Sequence, residues 1–141
     1  MATSTTEQSL HIWRSRAIDA FAQAEATIDL LLRKLNCQAK GELISSKIER
    51  LRKAKPNSAI PQERKSNVDL ALADLAQLLP IRNDLVHSKM HVRTDGDHVV
   101  ACFANPNLQC DYSSFQREVS APRLQALTSR AAHLAKILSE A

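Results

Sequence analysis

Leu10, Trp13, Ala17, Phe21, Ala24, Ile28, Leu31 and Leu35 follow one another in steps of three and four. A helix turns through about 3.6 residues, so this order lays a single apolar stripe along one face for more than three heptads. Ser4 with Glu7 and Thr5 with Gln8 have capping-box spacing, which predicts a helix start within the first eight residues. Ile12, Ile18, Leu30 and Leu32 widen the stripe, so the helix is expected to meet two neighbours, one of them in a second subunit. The same period returns from Gln62 onward in Val68, Leu72, Leu75, Leu78 or Leu79, and Ile81 or Leu85. It returns again in Leu124, Leu127, Ala131, Leu134 and Leu138, with Ser120 as cap and Pro122 in the first turn. Arg123, Arg130 and His133 lie partly off that stripe and are expected at the surface. Two glycines in 141 residues, with Ala and Leu dominant, agree with a mainly α fold in one domain spanning 1–141.

Between the long helices the pattern breaks twice. Gly41, Pro56, Asn57, Ser58 and Pro61 flank a short helix expected over Glu42 to Lys53. From Met90 to Phe103 the period shortens, and Val92 and Val99-Val100 flank Thr94-Asp95-Gly96-Asp97, a β-hairpin signal. A third extended segment is expected between Cys110 and Val119, where Tyr112, Phe115 and Val119 lack helical spacing, after a turn at Asn105-Pro106-Asn107.

Several function classes are disfavoured. No apolar run reaches the length of a membrane span, and the N-terminus has no basic segment followed by an apolar one, so a cytoplasmic protein is expected. Cys37, Cys102 and Cys110 are odd in number and show no Cys-x-x-Cys spacing, which points to buried thiols rather than disulfides or zinc. Aromatic residues make up only 4%, too few for recognition built on base-stacking platforms.

The chemistry-bearing stretch is Leu79-Pro80-Ile81-Arg82-Asn83-Asp84-Leu85-Val86-His87-Ser88. Pro80 disfavours helical geometry at Leu79 and suits the first turn of a new helix, so Arg82 and Asn83 are expected near a helix start or at a kink. One kinked helix and two abutting helices both satisfy this pattern. A helix start would offer free N–H groups to an anion. Leu85 and Val86 are expected to anchor the turn in the core. On a helix, the five-residue step from Arg82 to His87 separates the side chains by about 140° and about 7.5 Å along the axis. Asp84, three residues before His87, can orient the ring or serve as a helix-start carboxylate stabilised by the dipole.

Arg82-Asn83, three further residues and then His87 resemble the Arg-(four to six residues)-His motif of the HEPN superfamily, in the variant with a polar residue after the Arg. The resemblance implies a HEPN-like bundle of four to five helices that dimerises, sets two motifs across the interface and cuts RNA without a metal. The hairpin between the motif helix and the C-terminal helix departs from the family's all-helical outline. A toxin or defence setting, with an antitoxin or other regulatory protein as partner, follows from the resemblance alone, and no cofactor is expected. Metal-independent cleavage needs a base for the ribose 2′-hydroxyl, a cation on the phosphate and an acid for the leaving oxygen. His87 suits the first and last of these roles and Arg82 the second. Asn83 can hold the Arg, a phosphate oxygen or the second subunit's motif.

Charge gives an independent hint. From Arg33 to Lys65 there are ten basic residues against three acidic ones, a surplus of seven in a chain whose net charge is only +4. Lys47, Arg50, Arg52, Lys53 and Lys55 are therefore candidate RNA-binding residues. Other readings remain. A catalytically inactive HEPN-like module would bind RNA, a nucleotide or a protein partner through the same cleft, and Arg82 and His87 could instead make capping or interhelix hydrogen bonds. His87 and His91, with His98 across the hairpin, would form a metal site, but they lack the His-Glu-x-x-His pattern and no metal is expected.

Overall fold

The structure, a computed structural model, describes residues 6–38, 41–104 and 116–141. It is mainly helical. Helix α1 spans Glu7–Lys34, α2 Ile44–Lys53 and α3 Gln62–His87; strands β1 (Lys89–Asp95), β2 (His98–Ala104) and β3 (Gln116–Ser120) follow, and α4 (Ala121–Ser139) closes the chain. The packing forms two compact units: residues 1–19 with 80–129, and residues 20–79 with 130–141.

The helix ends show why these segments form. Thr6 and Ser9 make a reciprocal cap, with each hydroxyl oxygen accepting the other's backbone N–H at 3.1 Å. The cap sits later than expected, and Ser4 and Thr5 lie outside the described residues. Helix α1 ends in a Schellman arrangement, in which Cys37 N–H reaches Leu32 O (2.9 Å) and Asn36 N–H reaches Arg33 O (3.1 Å). Asn36 supplies the required left-handed backbone at φ 56°. Helix α2 starts two residues after the expected Glu42, and α4 is capped by Ser120 Oγ, which accepts the Arg123 N–H at 3.3 Å.

In the first unit the core is Leu10 and Ala17 from α1, Ile81 and Leu85 from α3, Ala101 and Phe103 from the sheet, and Leu124 and Leu127 from α4. The sheet is antiparallel in the order β1-β2-β3. Lys89 pairs with Ala104 and Asp95 with His98, which leaves Gly96-Asp97 as the turn. Gly96, at φ 62°, is the first central residue, the pattern of a type II′ turn, so the hairpin turns one residue later than an Asp95-Gly96 turn would place it. The third extended segment appears as β3, with Arg117 opposite Phe103 and Val119 opposite Ala101. The expected turn at Asn105-Pro106-Asn107, together with Tyr112 and Phe115, lies outside the described residues.

In the second unit the core is Phe21, Ala24, Ile28 and Leu31 from α1, Ile48 and Leu51 from α2, Val68, Leu72 and Leu75 from α3, and Leu134 and Leu138 from α4. Of the residues expected to widen the α1 stripe, Leu32 is buried and Ile18 half-buried, while Ile12 and Leu30 face solvent. Arg123, Arg130 and His133 are exposed. No described helix is long and apolar enough to cross a membrane.

Candidate functional site

Helix α3 runs through Pro80 without ending. Losing one helical hydrogen bond at a proline costs about 3 kcal/mol, and each aliphatic side chain taken from water returns about 1.5–3 kcal/mol. Leu75 and Leu79 before the proline, and Ile81 and Leu85 after it, are all buried and offset that loss. This overturns a helix start at Pro80, and of the two arrangements the pattern allowed the single helix is the one present. Arg82 and Asn83 lie in the last turns of a long helix, so their N–H groups belong to its interior, and an anion there would have to be met by side chains.

Ile81, Asp84, Leu85 and Ser88 form the inward row of this segment, at helical positions i, i+3, i+4 and i+7. Two of its four members are polar. Val86 was expected in the core but is 38% exposed, because one further helical step of about 100° takes it off that row. The outward face carries two columns, Arg82 with Val86 and Asn83 with His87, the members of each column four residues apart. Arg82 is half-buried and its Nη1 donates to Asn83 Oδ1 at 3.0 Å, which draws the guanidinium toward the His87 column. Its Nε is buried without a hydrogen-bond partner among the described residues. His87 is exposed at the final residue of α3, and no hydrogen bond links it to Arg82.

Two arginines hold this segment in place. Arg117 of β3 donates from Nε to Asp84 Oδ2 at 2.5 Å, so Asp84, 8% exposed, carries a part-buried ion pair in the body of the helix rather than at its start. Arg14 of α1 donates from Nε (3.0 Å) and Nη2 (2.8 Å) to Leu85 O, and from Nη2 to Ser88 O (2.8 Å). Its guanidinium carbon stands 5.6 Å from the centre of the Phe103 ring. Sequence reasoning missed both residues. The signals were a basic residue set between Leu10 and Ala17 on the buried side of α1, and a basic residue opposite Phe103 on β3.

The basic stretch belongs to the second unit, and much of its charge is already neutralised. Lys47 pairs with Asp29 (3.1 Å) and Glu25 (3.7 Å), Lys53 with Glu49 (3.1 Å), and Arg50 with Glu42 through Nε to Oε2 (2.9 Å) and Nη2 to Oε1. The Arg50 hydrogen bond holds the Glu42 carboxyl below its ordinary range, and Glu42 in turn raises Arg50. Lys65, 2% exposed, is spent on Asp69 Oδ1 (2.7 Å) and Arg52 O (3.1 Å). Arg52 and Lys55 are exposed, with no side-chain partner among the described residues. Arg50 and Lys53 line a cleft of about 620 Å³ with Cys37, Glu42, Ser45, Ser46 and Glu49. Cys37 there is a free, half-buried thiol whose pKa burial raises, against an opposing pull from Arg50 and Lys65; Cys102 is buried and free.

His91 lies on β1, so it does not share a helical face with His87. Among the described residues no group of three or more His, Cys, Asp and Glu side chains gathers where it could hold a metal ion. No protein-family model matches the chain, and no curated protein or solved structure matches it.

Proposed function

We propose that this protein is a HEPN-like, metal-independent endoribonuclease that cuts RNA at a site composed from two copies of the chain. The observation that supports this reading most directly is the arrangement of the outward columns of α3. Asn83 holds the Arg82 guanidinium toward the column of an exposed His87, while the helix beneath is fixed by Asp84, Ser88 and their arginine partners. Among the described residues neither Arg82 nor His87 is occupied by a capping or interhelix hydrogen bond, so both are available to a substrate.

In the proposed reaction His87 of one copy takes the proton from a ribose 2′-hydroxyl, whose oxygen attacks the adjacent phosphorus. Arg82 donates to the phosphate oxygens as negative charge gathers on them. The second copy's imidazole gives a proton to the departing 5′-oxygen. The P–O5′ bond breaks, leaving a 2′,3′-cyclic phosphate and a 5′-hydroxyl, and the two histidines finish with exchanged protonation states. One chain supplies one motif, so a two-fold pair is needed to supply both roles. The exposed apolar Ile12 and Val86 are consistent with a covering partner on the first unit.

The test is incubation of the purified protein with a mixed RNA pool in excess EDTA, comparing wild type with His87→Ala at equal dimer content. Cleavage by the wild type alone, with cyclic-phosphate ends, supports the reading. Intact RNA with both proteins, together with RNA retention by both, would replace it with a catalytically inactive binding module.

A further inference from the structure

Helix α3 passes into β1 with only Ser88 between His87 and Lys89. That leaves no room for the turn that ends α1, and no residue there has positive φ. The last helical bond is from Ser88 N–H to Asp84 O at 3.0 Å. Beyond it the terminal carbonyls of the helix have no donor of their own. The Arg14 guanidinium takes that place, bridging Leu85 O and Ser88 O, the carbonyls on either side of Val86-His87. Its charge meets the negative end of the helix dipole, and its guanidinium carbon lies over the Phe103 ring. Ser88 is fixed through this carbonyl and not through its side chain, since its buried hydroxyl has no partner among the described residues.

We infer that Arg14 is a positioning residue for His87: a planar fork from α1 that closes the C-terminal end of the motif helix and so fixes where the imidazole is presented. What His87 then does rests on the ribonuclease reading; what Arg14 does rests on the hydrogen bonds alone. An arginine suits the role because Nε and Nη2 grip Leu85 O together while Nη2 also reaches Ser88 O, a planar three-bond contact that the single ammonium of a lysine on its flexible stem does not reproduce.

The experiment compares wild type, Arg14→Lys, Arg14→Gln and the control Ser88→Ala by amide hydrogen exchange, by the His87 ring Cε1–H resonance and by RNA cleavage kinetics. Arg14→Lys is expected to speed exchange of the Ser88 amide by about tenfold or more while the Leu124 and Ala101 amides stay protected, as local opening requires. The His87 resonance should move and that of His133 should not. In the active enzyme kcat should fall by about tenfold with KM little changed, since a misplaced catalytic group weakens the chemical step more than binding. Ser88→Ala should match wild type in all three readouts. If Arg14→Lys matches wild type, or if both Arg14 variants unfold so that Leu124 and Ser88 exchange together, the inference is overturned. If wild type cuts no RNA, the ribonuclease reading fails while the exchange and resonance data still decide the role of Arg14.

Discussion

Arg117 Nε donates to Asp84 Oδ2 at 2.5 Å, and through this contact strand β3 holds the inward face of the motif helix. The pair is lopsided. Asp84 is buried and Arg117 only partly so, which means that a guanidinium deprived of this contact returns to water, whereas the carboxylate stays inside the protein with one charged contact fewer. Breaking a buried pair from one side costs about 3–5 kcal/mol, and less when one partner is partly hydrated. Arg117→Met is therefore expected to lower stability by about 2–3 kcal/mol, and Asp84→Asn by less. Urea unfolding of the two variants checks the order; equal midpoints would contradict it.

Asn83 is exposed and accepts a hydrogen bond from Arg82. Asn83→Ala should leave stability within about 0.5 kcal/mol of wild type, as surface changes do. Under the proposed function it should reduce cleavage by about tenfold, the effect of freeing one catalytic side chain from its orienting partner. Loss of fold would instead make Asn83 a packing residue.

Lys65 is counted in the basic stretch yet is buried against Asp69 and the Arg52 carbonyl. Asp69→Ala leaves a buried ammonium with one acceptor fewer and is expected to cost about 2–4 kcal/mol, whereas Lys65→Met, which removes the charge and keeps an apolar stem, should cost less. Thermal melts of the two variants test that order.

Arg52 and Lys55 have no side-chain partner among the described residues, whereas Lys47 is engaged by Asp29 and Glu25. If this stretch meets RNA, the double variant Arg52→Ala, Lys55→Ala should reduce the slope of log affinity against log salt by about 1.4, from two lost phosphate contacts on a single strand. A salt titration of RNA binding reads it, and an unchanged slope would remove these residues from the interface.

Because Arg50 depresses the Glu42 pKa on folding, this ion pair contributes stability above the ordinary carboxyl value of 4.5 and loses it as pH falls through the lower folded value. Glu42→Gln should flatten the acid limb of the stability curve below about pH 4.5 without changing it at neutral pH beyond the small effect of an exposed pair. High salt should blunt the same limb in the wild type.

The sequence by itself determined the elements and much of the core. Period-three-and-four apolar spacing placed α1, α3 and α4, and Leu124, Leu127, Ala131, Leu134 and Leu138 are all buried as that spacing requires. Asp-Gly between valine-rich runs located the hairpin, because a glycine at positive φ is a local requirement visible in a local signal. It also singled out Arg82 and His87, but not what surrounds them. Whether Pro80 ends a helix depends on how much apolar surface is buried on either side, a sum over distant partners that no local rule contains. Asp84 reads equally well as a cap or a ring partner until Arg117, thirty-three residues later, takes its carboxylate. Likewise the basic surplus from Arg33 to Lys65 shrinks once Asp29, Glu25 and Asp69 are folded against it. Side-chain pairing across long stretches of chain is decided by tertiary packing, and that packing determined which polar residues of this protein hold the fold and which remain free to act.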